Sequence, residues 1–193
     1  MCSVIGYKGK FDKELVGNLL DESRIRGIHA FGWSSDDYTF KSCNYDKFKK
    51  SLLDYRPELF VAHLRYSTSG DYRKKENNQP LVKNKTSLVF NGVISQLTKS
   101  EMEDSFHTSI PSYNDGWLLL DNLEDYEFLN DTRFTIATTY HDGNKLYAYR
   151  NTKRPLYYHS NSNRVVVAST KDILKRTGLN KNILTKPYRK YEW

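Results

Sequence analysis

Cysteine, methionine and proline are all scarce in this chain of 193 residues, with two, two and five copies respectively. Two cysteines, Cys2 and Cys43, cannot build a framework of bridges, which excludes a disulfide-stapled scaffold and fits a reducing, cytoplasmic setting. Long apolar runs are missing too. The stretches Trp117–Leu120 and Val165–Ala168 are far too short to span a bilayer. The opening MCSVIGYKGK has no apolar segment of the signal-peptide kind, so neither a membrane nor a secretory reading is expected. Metal and nucleotide signatures are absent: the five histidines stand apart, without HExxH or CxxC, and no GxGxxG or Walker lysine loop occurs. No metal or cofactor is expected. GxSxG is also lacking, which removes the usual signal for a serine hydrolase.

Aromatic residues are plentiful. Fifteen Tyr, nine Phe and three Trp can fill a core although only 38% of residues are hydrophobic, and this argues against global disorder. The length suits one domain, expected over residues 1–193. The net charge of +7 is unevenly placed: from Arg150 onward eleven Lys or Arg face two acids, whereas nine acids and no Lys or Arg lie between Glu101 and Asp131. The basic end suggests a surface for nucleic acid or another acidic partner, or a merely solvated face. No helix-turn-helix, zinc-finger or RNP pattern supports nucleic acid specifically.

Strands are expected at Ser3–Tyr7, Ile28–Ser34, Leu59–Tyr66, Ser87–Asn91, Phe134–His141, Lys145–Arg150, Leu156–His159 and Val165–Ser169, from β-branched and aromatic enrichment. Helices are expected from Asp12, with Leu15, Val16, Leu19 and Leu20 on one face, and over Asp46–Tyr55 before Pro57. A third is expected over Asp115–Leu123 and a short fourth capped by Ser169 or Thr170. The sum is an α+β domain rich in antiparallel sheet, with a long polar loop over Ser69–Lys85.

Cys2 is the residue with the most chemistry. Removal of Met1 would give it both a thiol and a free α-amine, whose ordinary pKa of about 7.7–8.0 lets one residue act as nucleophile and base. Taken alone, position 2 reads more simply as a small buried residue opening a strand. The rest of the chain adds RGIHAFG at 26–32, VAHLRYSTSG at 61–70, NNQPL at 77–81, LVFNGVI at 88–94, NDGWLLL at 114–120, YRNTKRPLYY at 149–158 and VVVAST at 165–170. In order and spacing these resemble the glutaminase domain of class II glutamine amidotransferases, of the N-terminal nucleophile hydrolase superfamily. The resemblance runs from Cys2 to about Asp172 and leaves a basic segment at about 173–193.

The resemblance implies a four-layer αββα sandwich of two mainly antiparallel sheets. It implies that Cys2 attacks the side-chain amide of glutamine, giving a thioester that water hydrolyses to glutamate, with release of ammonia. Asn91 and Gly92 match the pair that holds the oxyanion, although Asn-Gly alone would also suit a hairpin turn. Arg65 matches the arginine gripping the α-carboxylate, with Thr68 beside it, and Asp115 the acid pairing with the α-ammonium; a helix N-cap is the simpler alternative for Asp115. Arg26 and Gly27 match the pair lining the nucleophile's pocket, where Arg26 could equally be a surface arginine. The late hairpin residues carry no chemistry in this reading. The sequence departs from the family pattern at Ser3, where Gly is usual and a side chain threatens to crowd the site, at His29 in place of an acid, and at Asn151 in place of Asp.

Because the family-like part fills the chain, the ammonia-using synthase or transferase is expected on a separate protein. Two alternatives stay open: an N-terminal nucleophile hydrolase cleaving another amide, and a non-enzymatic module binding nucleic acid or protein through the basic end.

Overall fold

The computed structural model describes residues 1–68 and 70–193; Ser69, at the head of the expected Ser69–Lys85 loop, lies outside the described residues. In chain order the elements are β1 (Ser3–Gly9), α1 (Lys13–Arg24), β2 (Ala30–Ser34), β3 (Thr39–Ser42), α2 (Tyr45–Tyr55), β4 (Leu59–Arg65), β5 (Leu81–Lys83), β6 (Thr86–Phe90) and α3 (Lys99–Phe106). They continue with α4 (Gly116–Asp121), α5 (Tyr126–Leu129), β7 (Ala137–His141), β8 (Leu146–Arg150), β9 (Tyr157–Ser160), β10 (Arg164–Ala168), α6 (Lys171–Arg176), β11 (Ile183–Leu184) and β12 (Tyr191–Glu192). No helix among the described residues is long and apolar enough to cross a membrane.

The strands form two antiparallel sheets, one of seven strands in the order β11-β9-β10-β1-β4-β2-β3 and one of five in the order β12-β8-β7-β6-β5. Three apolar clusters correspond to the three interfaces between layers. Ile5, Tyr7, Phe31, Trp33, Phe60 and Leu64 of the larger sheet pack under α1, α2 and α6 through Val16, Leu20, Phe48, Leu52 and Leu174. Leu88, Phe90, Tyr140 and Tyr149 of the smaller sheet, with Ile136 just before β7, pack under α3, α4 and α5. Between the sheets lie Val4, Val61, Val89, Ala137, Ala148 and Val167, small side chains that let the layers close up. Gly6 belongs to that interface, since a Cβ there would stand 2.5 Å from Thr139 Oγ1. The fold is therefore α+β in four αββα layers.

Burial on both faces explains why β1, β2, β4 and β7 lack a hydrophobic–polar alternation: every residue in β2 and β7 is buried. Helix α1 starts where Asp12 accepts from Leu15 N at 3.1 Å, and α2 starts where Asn44 accepts from Lys47 N at 2.9 Å. The expected helix at 115–123 is shorter, Gly116–Asp121. Thr170 is the N-cap residue of α6 without a side-chain capping bond, and Ser169 Oγ accepts instead from Val4 N at 2.9 Å, joining β10 to the start of β1.

The polar stretch expected as one long loop is more structured than its composition indicates. It holds a single 3₁₀ turn at Lys75–Asn77 and the strand β5, and Asn77, Asn78 and Gln79 are buried. The basic segment after residue 172 is likewise woven into the fold. β11 pairs with β9, β12 pairs with β8, and Trp193 exchanges backbone bonds with Leu146. Within it Arg176 pairs with Glu22 and Lys190 with Glu124, while earlier in the basic stretch Arg164 pairs with Asp12 and buried Arg150 donates to Thr185 O.

Candidate active site

β1 is a central strand, paired on one side with β10 and on the other with β4, so the residue just before it leads into a strand held on both sides. That residue is Cys2. Its Sγ lies 3.6 Å from Tyr66 O, and its carbonyl accepts from Arg26 Nε at 3.1 Å. Burial pushes the Cys2 thiol up, while Arg65 and Arg26 act in the opposite direction. Arg26 is thus half-buried against the nucleophile's own backbone, not a free surface arginine. Gly27 beside it has no room for a side chain, because a Cβ would stand 2.0 Å from Leu64 O on β4.

Ser3 does not break the sheet. It is fully buried, pairs with Leu64 in unbroken register, and its Oγ has no hydrogen-bond partner among the described residues. His29 Nδ1 accepts from Ser67 N at 2.9 Å, so this departure from the family pattern anchors the loop after β4. Asn151 is buried and ties Phe134 O to Ile136 N through its side chain, a structural staple.

β4 carries His63 and Arg65 on the face turned toward the smaller sheet. Arg65 is 8% exposed, and its Nη1 donates to Asn78 Oδ1 at 2.7 Å and Asn77 O at 3.0 Å. Burial lowers its pKa, with Cys2 and Asp115 among the groups opposing that shift. Thr68 is exposed on the following loop and shares no hydrogen bond with the other candidate residues among those described.

The Asn-Gly pair does not make a hairpin turn. Asn91 exchanges both backbone bonds with Ala137, and Val93 does the same with Thr135, so the chain runs on beyond β6 alongside β7. Gly92 is packed so closely that a Cβ would stand 1.8 Å from Thr135 O. Asn91 is 5% exposed, yet its Nδ2 has no hydrogen-bond partner among the described residues. A buried amide donor left unpaired costs free energy and calls for an explanation.

Asp115 stands at the N-cap position of α4 but does not cap it. Its Oδ2 accepts from Ile94 N at 2.8 Å and Ser95 N at 3.2 Å, which draws the carboxylate toward the segment following Asn91–Gly92. Burial pushes its pKa up, and those two N–H groups and Arg65 pull it back. Asn114 takes over the start of the helix by accepting from Gly116 N at 2.9 Å.

Arg65 pulls down the pKa of both Cys2 and Asp115 against the effect of burial on each. Cys43 stands apart from this role, exposed and 3.5 Å from Tyr72 O. The residues that the motif reading left without a role are Asn77, Asn78 and Gln79; their only signal was the NNQPL motif in an otherwise polar stretch.

A glutamine amidotransferase domain model matches residues 63–176, more than half of the chain. No curated protein sequence matches. Among solved structures, the allosteric regulatory enzyme of purine biosynthesis superposes with a TM-score of 0.76 at 18% identity, over 96% of this chain and 45% of that one. The glutamine phosphoribosylpyrophosphate amidotransferase from B. subtilis gives 0.71 at 15% identity, over 100% and 49%. A glutamine aminotransferase class-II domain protein from Silicibacter pomeroyi gives 0.63 at 16%, over 99% and 94%. The chain thus spans about half the length of the first two. With the family matched in sequence over residues 63–176 and the two-sheet architecture matched in structure, the chain belongs to the glutamine amidotransferase domain family.

Proposed function

We propose that this protein hydrolyses the side-chain amide of glutamine at Cys2 and passes the ammonia to an acceptor activated by a separate protein. Removal of Met1 frees the Cys2 α-amine. That amine takes the thiol proton as Sγ attacks the amide carbon, a role made necessary by the burial that keeps the thiol protonated. Asn91 Nδ2 and Gly92 N–H receive the charge that develops on the amide oxygen. As the C–N bond breaks, the proton held by the α-amine goes to the leaving nitrogen, which departs as ammonia. Water then adds to the γ-glutamyl thioester, giving glutamate and the free thiol.

Arg65 and Asp115 read the two charges of the substrate's α-carbon. The guanidinium offers planar donors to the carboxylate, and Asp115 Oδ1, the oxygen not committed to Ile94 and Ser95, accepts from the ammonium. Thr68 contributes a hydroxyl from the loop, and Arg26 and Gly27 shape the nucleophile's side of the pocket. The observation that supports the reading is the buried Asn91 Nδ2, a donor with no hydrogen-bond partner among the described residues.

The test is purified protein incubated with glutamine, with glutamate and ammonia measured alongside the intact mass. The expected result is loss of Met1, turnover, and at least a thousandfold decrease in Cys2→Ala. Turnover that survives Cys2→Ala, or that persists in protein retaining Met1, refutes the mechanism.

A further inference from the structure

The three buried residues Asn77, Asn78 and Gln79 bond Arg65 and the chain neighbours of Asp115 and Asn91 without belonging to the site. Asn78 Oδ1 accepts from Arg65 Nη1 at 2.7 Å, while its Nδ2 donates to Tyr72 O at 2.7 Å and Lys74 O at 3.2 Å, so the amide is locked in one orientation. Asn77 O accepts from Arg65 Nη1 at 3.0 Å and from Asn114 Nδ2 at 2.9 Å, and Asn77 Oδ1 accepts from Tyr113 N at 3.1 Å. These bonds fix the loop that ends at Asp115.

Gln79 Oε1 accepts from Phe90 N at 2.6 Å, one residue before Asn91. Its backbone meanwhile presses on the other sheet: a Cβ on Gly32 of β2 would stand 2.2 Å from Gln79 O.

We propose that Asn77–Gln79 is a cross-sheet clasp of positioning residues, in which Asn78 aims Arg65 at the substrate carboxylate and Gln79 sets the height of the Asn91–Gly92 donors relative to Cys2. The proposal rests on the glutaminase reading for its kinetic consequences, but not for its structural ones. The nucleophile and Arg65 stand on the larger sheet, whereas the oxyanion pair extends from β6 of the smaller one. Ser34 Oγ with Ser87 Oγ at 2.8 Å and His141 Nε2 with Ser34 O at 3.1 Å tie the sheets together at the end of β2 away from Arg65, whose partner on β2 is Ala30. A buried hydrogen bond has direction, and Gln79 supplies it at the end of the strand where the donors begin. Displacement of a reacting group by about 1 Å can cost about a hundredfold in rate.

The two halves of the clasp separate kinetically. Asn78→Ala, by releasing Arg65, raises KM for glutamine about tenfold or more and leaves kcat within about threefold. Gln79→Met keeps the volume and loses the strong acceptor; it lowers kcat about tenfold or more and leaves KM within about threefold. Gln79→Glu, which still offers an oxygen to Phe90 N, recovers most of that loss. Amide hydrogen exchange over residues 90–92 is measured on the same proteins: it accelerates in Gln79→Met and returns toward the parent in Gln79→Glu. Equal effects on kcat and KM in both variants, Gln79→Glu no better than Gln79→Met, or unchanged exchange at 90–92 would each overturn the clasp. A parent protein without glutaminase activity defeats the glutaminase reading instead, and the exchange measurement then decides the clasp alone.

Discussion

Asn91→Ala should make this protein less active and no less stable, and the opposition of the two effects is what the structure contributes. In an ordinary core, deleting a buried polar side chain strands its partners. Here Nδ2 has no partner to strand among the described residues. Relief from holding that donor dry is worth about 1–3 kcal/mol. Against it stands the loss of the truncated atoms' dispersion contacts, about 1 kcal/mol at ~0.1–0.2 kcal/mol per contact. The net lies between about 0 and +2 kcal/mol, which for a chain of this size is a rise in Tm of about 0–8 °C. The same truncation removes one oxyanion donor, for which a loss of about 10²–10³ in kcat is the ordinary magnitude. Thermal unfolding followed by circular dichroism, beside a coupled glutamate assay on the same preparation, reads both. A Tm lowered by more than about 4 °C means that Asn91 is a structural residue with a partner in the fold. A kcat within tenfold of the parent means that the charge on the amide oxygen is met elsewhere.

Three further perturbations test the frame around the site. Gly27→Ala drives a Cβ to within 2.0 Å of Leu64 O, backbone in a central strand that cannot step aside. A cost of about 3 kcal/mol, at the top of the usual overpacking range, lowers Tm by about 6–12 °C and breaks the Arg26 bond to Cys2 O; an unchanged Tm contradicts the close approach. Ser169→Ala leaves the buried Val4 N–H without its acceptor, a loss of about 1–3 kcal/mol in a denaturant titration, and a shift below about 0.5 kcal/mol would show that the bond is dispensable.

The last concerns pH. Complete burial pushes His63 down to about 3 from its ordinary 6.5, with Arg65 acting in the same direction. Below pH 6.5 the unfolded chain takes up a proton that the folded chain refuses, so stability falls as pH falls from 6.5 toward 3 and is unaffected above that window. The loss between pH 6.5 and 5 is about 2 kcal/mol. His63→Gln should flatten the profile, leaving the part due to His141, which burial also lowers. An equally steep decline in the variant rules His63 out as its source.

Local chemistry carried a good share of this protein's description. The helix starts at Asp12 and Asn44 are capping events between near neighbours, so the sequence around them is nearly sufficient to specify them. The eight strand segments are legible because their β-branched and aromatic residues fill buried sheet faces. The order of Cys2, Arg26–Gly27, Arg65, Asn91–Gly92 and Asp115 is likewise a property of the chain alone, and it was enough to indicate the family. What the sequence could not show is how two sheets meet. Short edge strands such as β3, β5, β11 and β12 carry little composition of their own and exist because a neighbouring strand offers them a ladder. Asn91–Gly92 reads locally as a turn, and only the backbone pairing of Asn91 with Ala137 and Val93 with Thr135 keeps it extended, its amide Nδ2 without a partner among the described residues. Asp115 reads locally as a cap, and only the distant N–H groups of Ile94 and Ser95 turn it away from its helix. Asn78 and Gln79 read as loop residues until β4 and β6 are brought to either side of them. In each case the deciding partner is remote in sequence, and hydrogen bonds between buried groups form only after the apolar layers have closed around them.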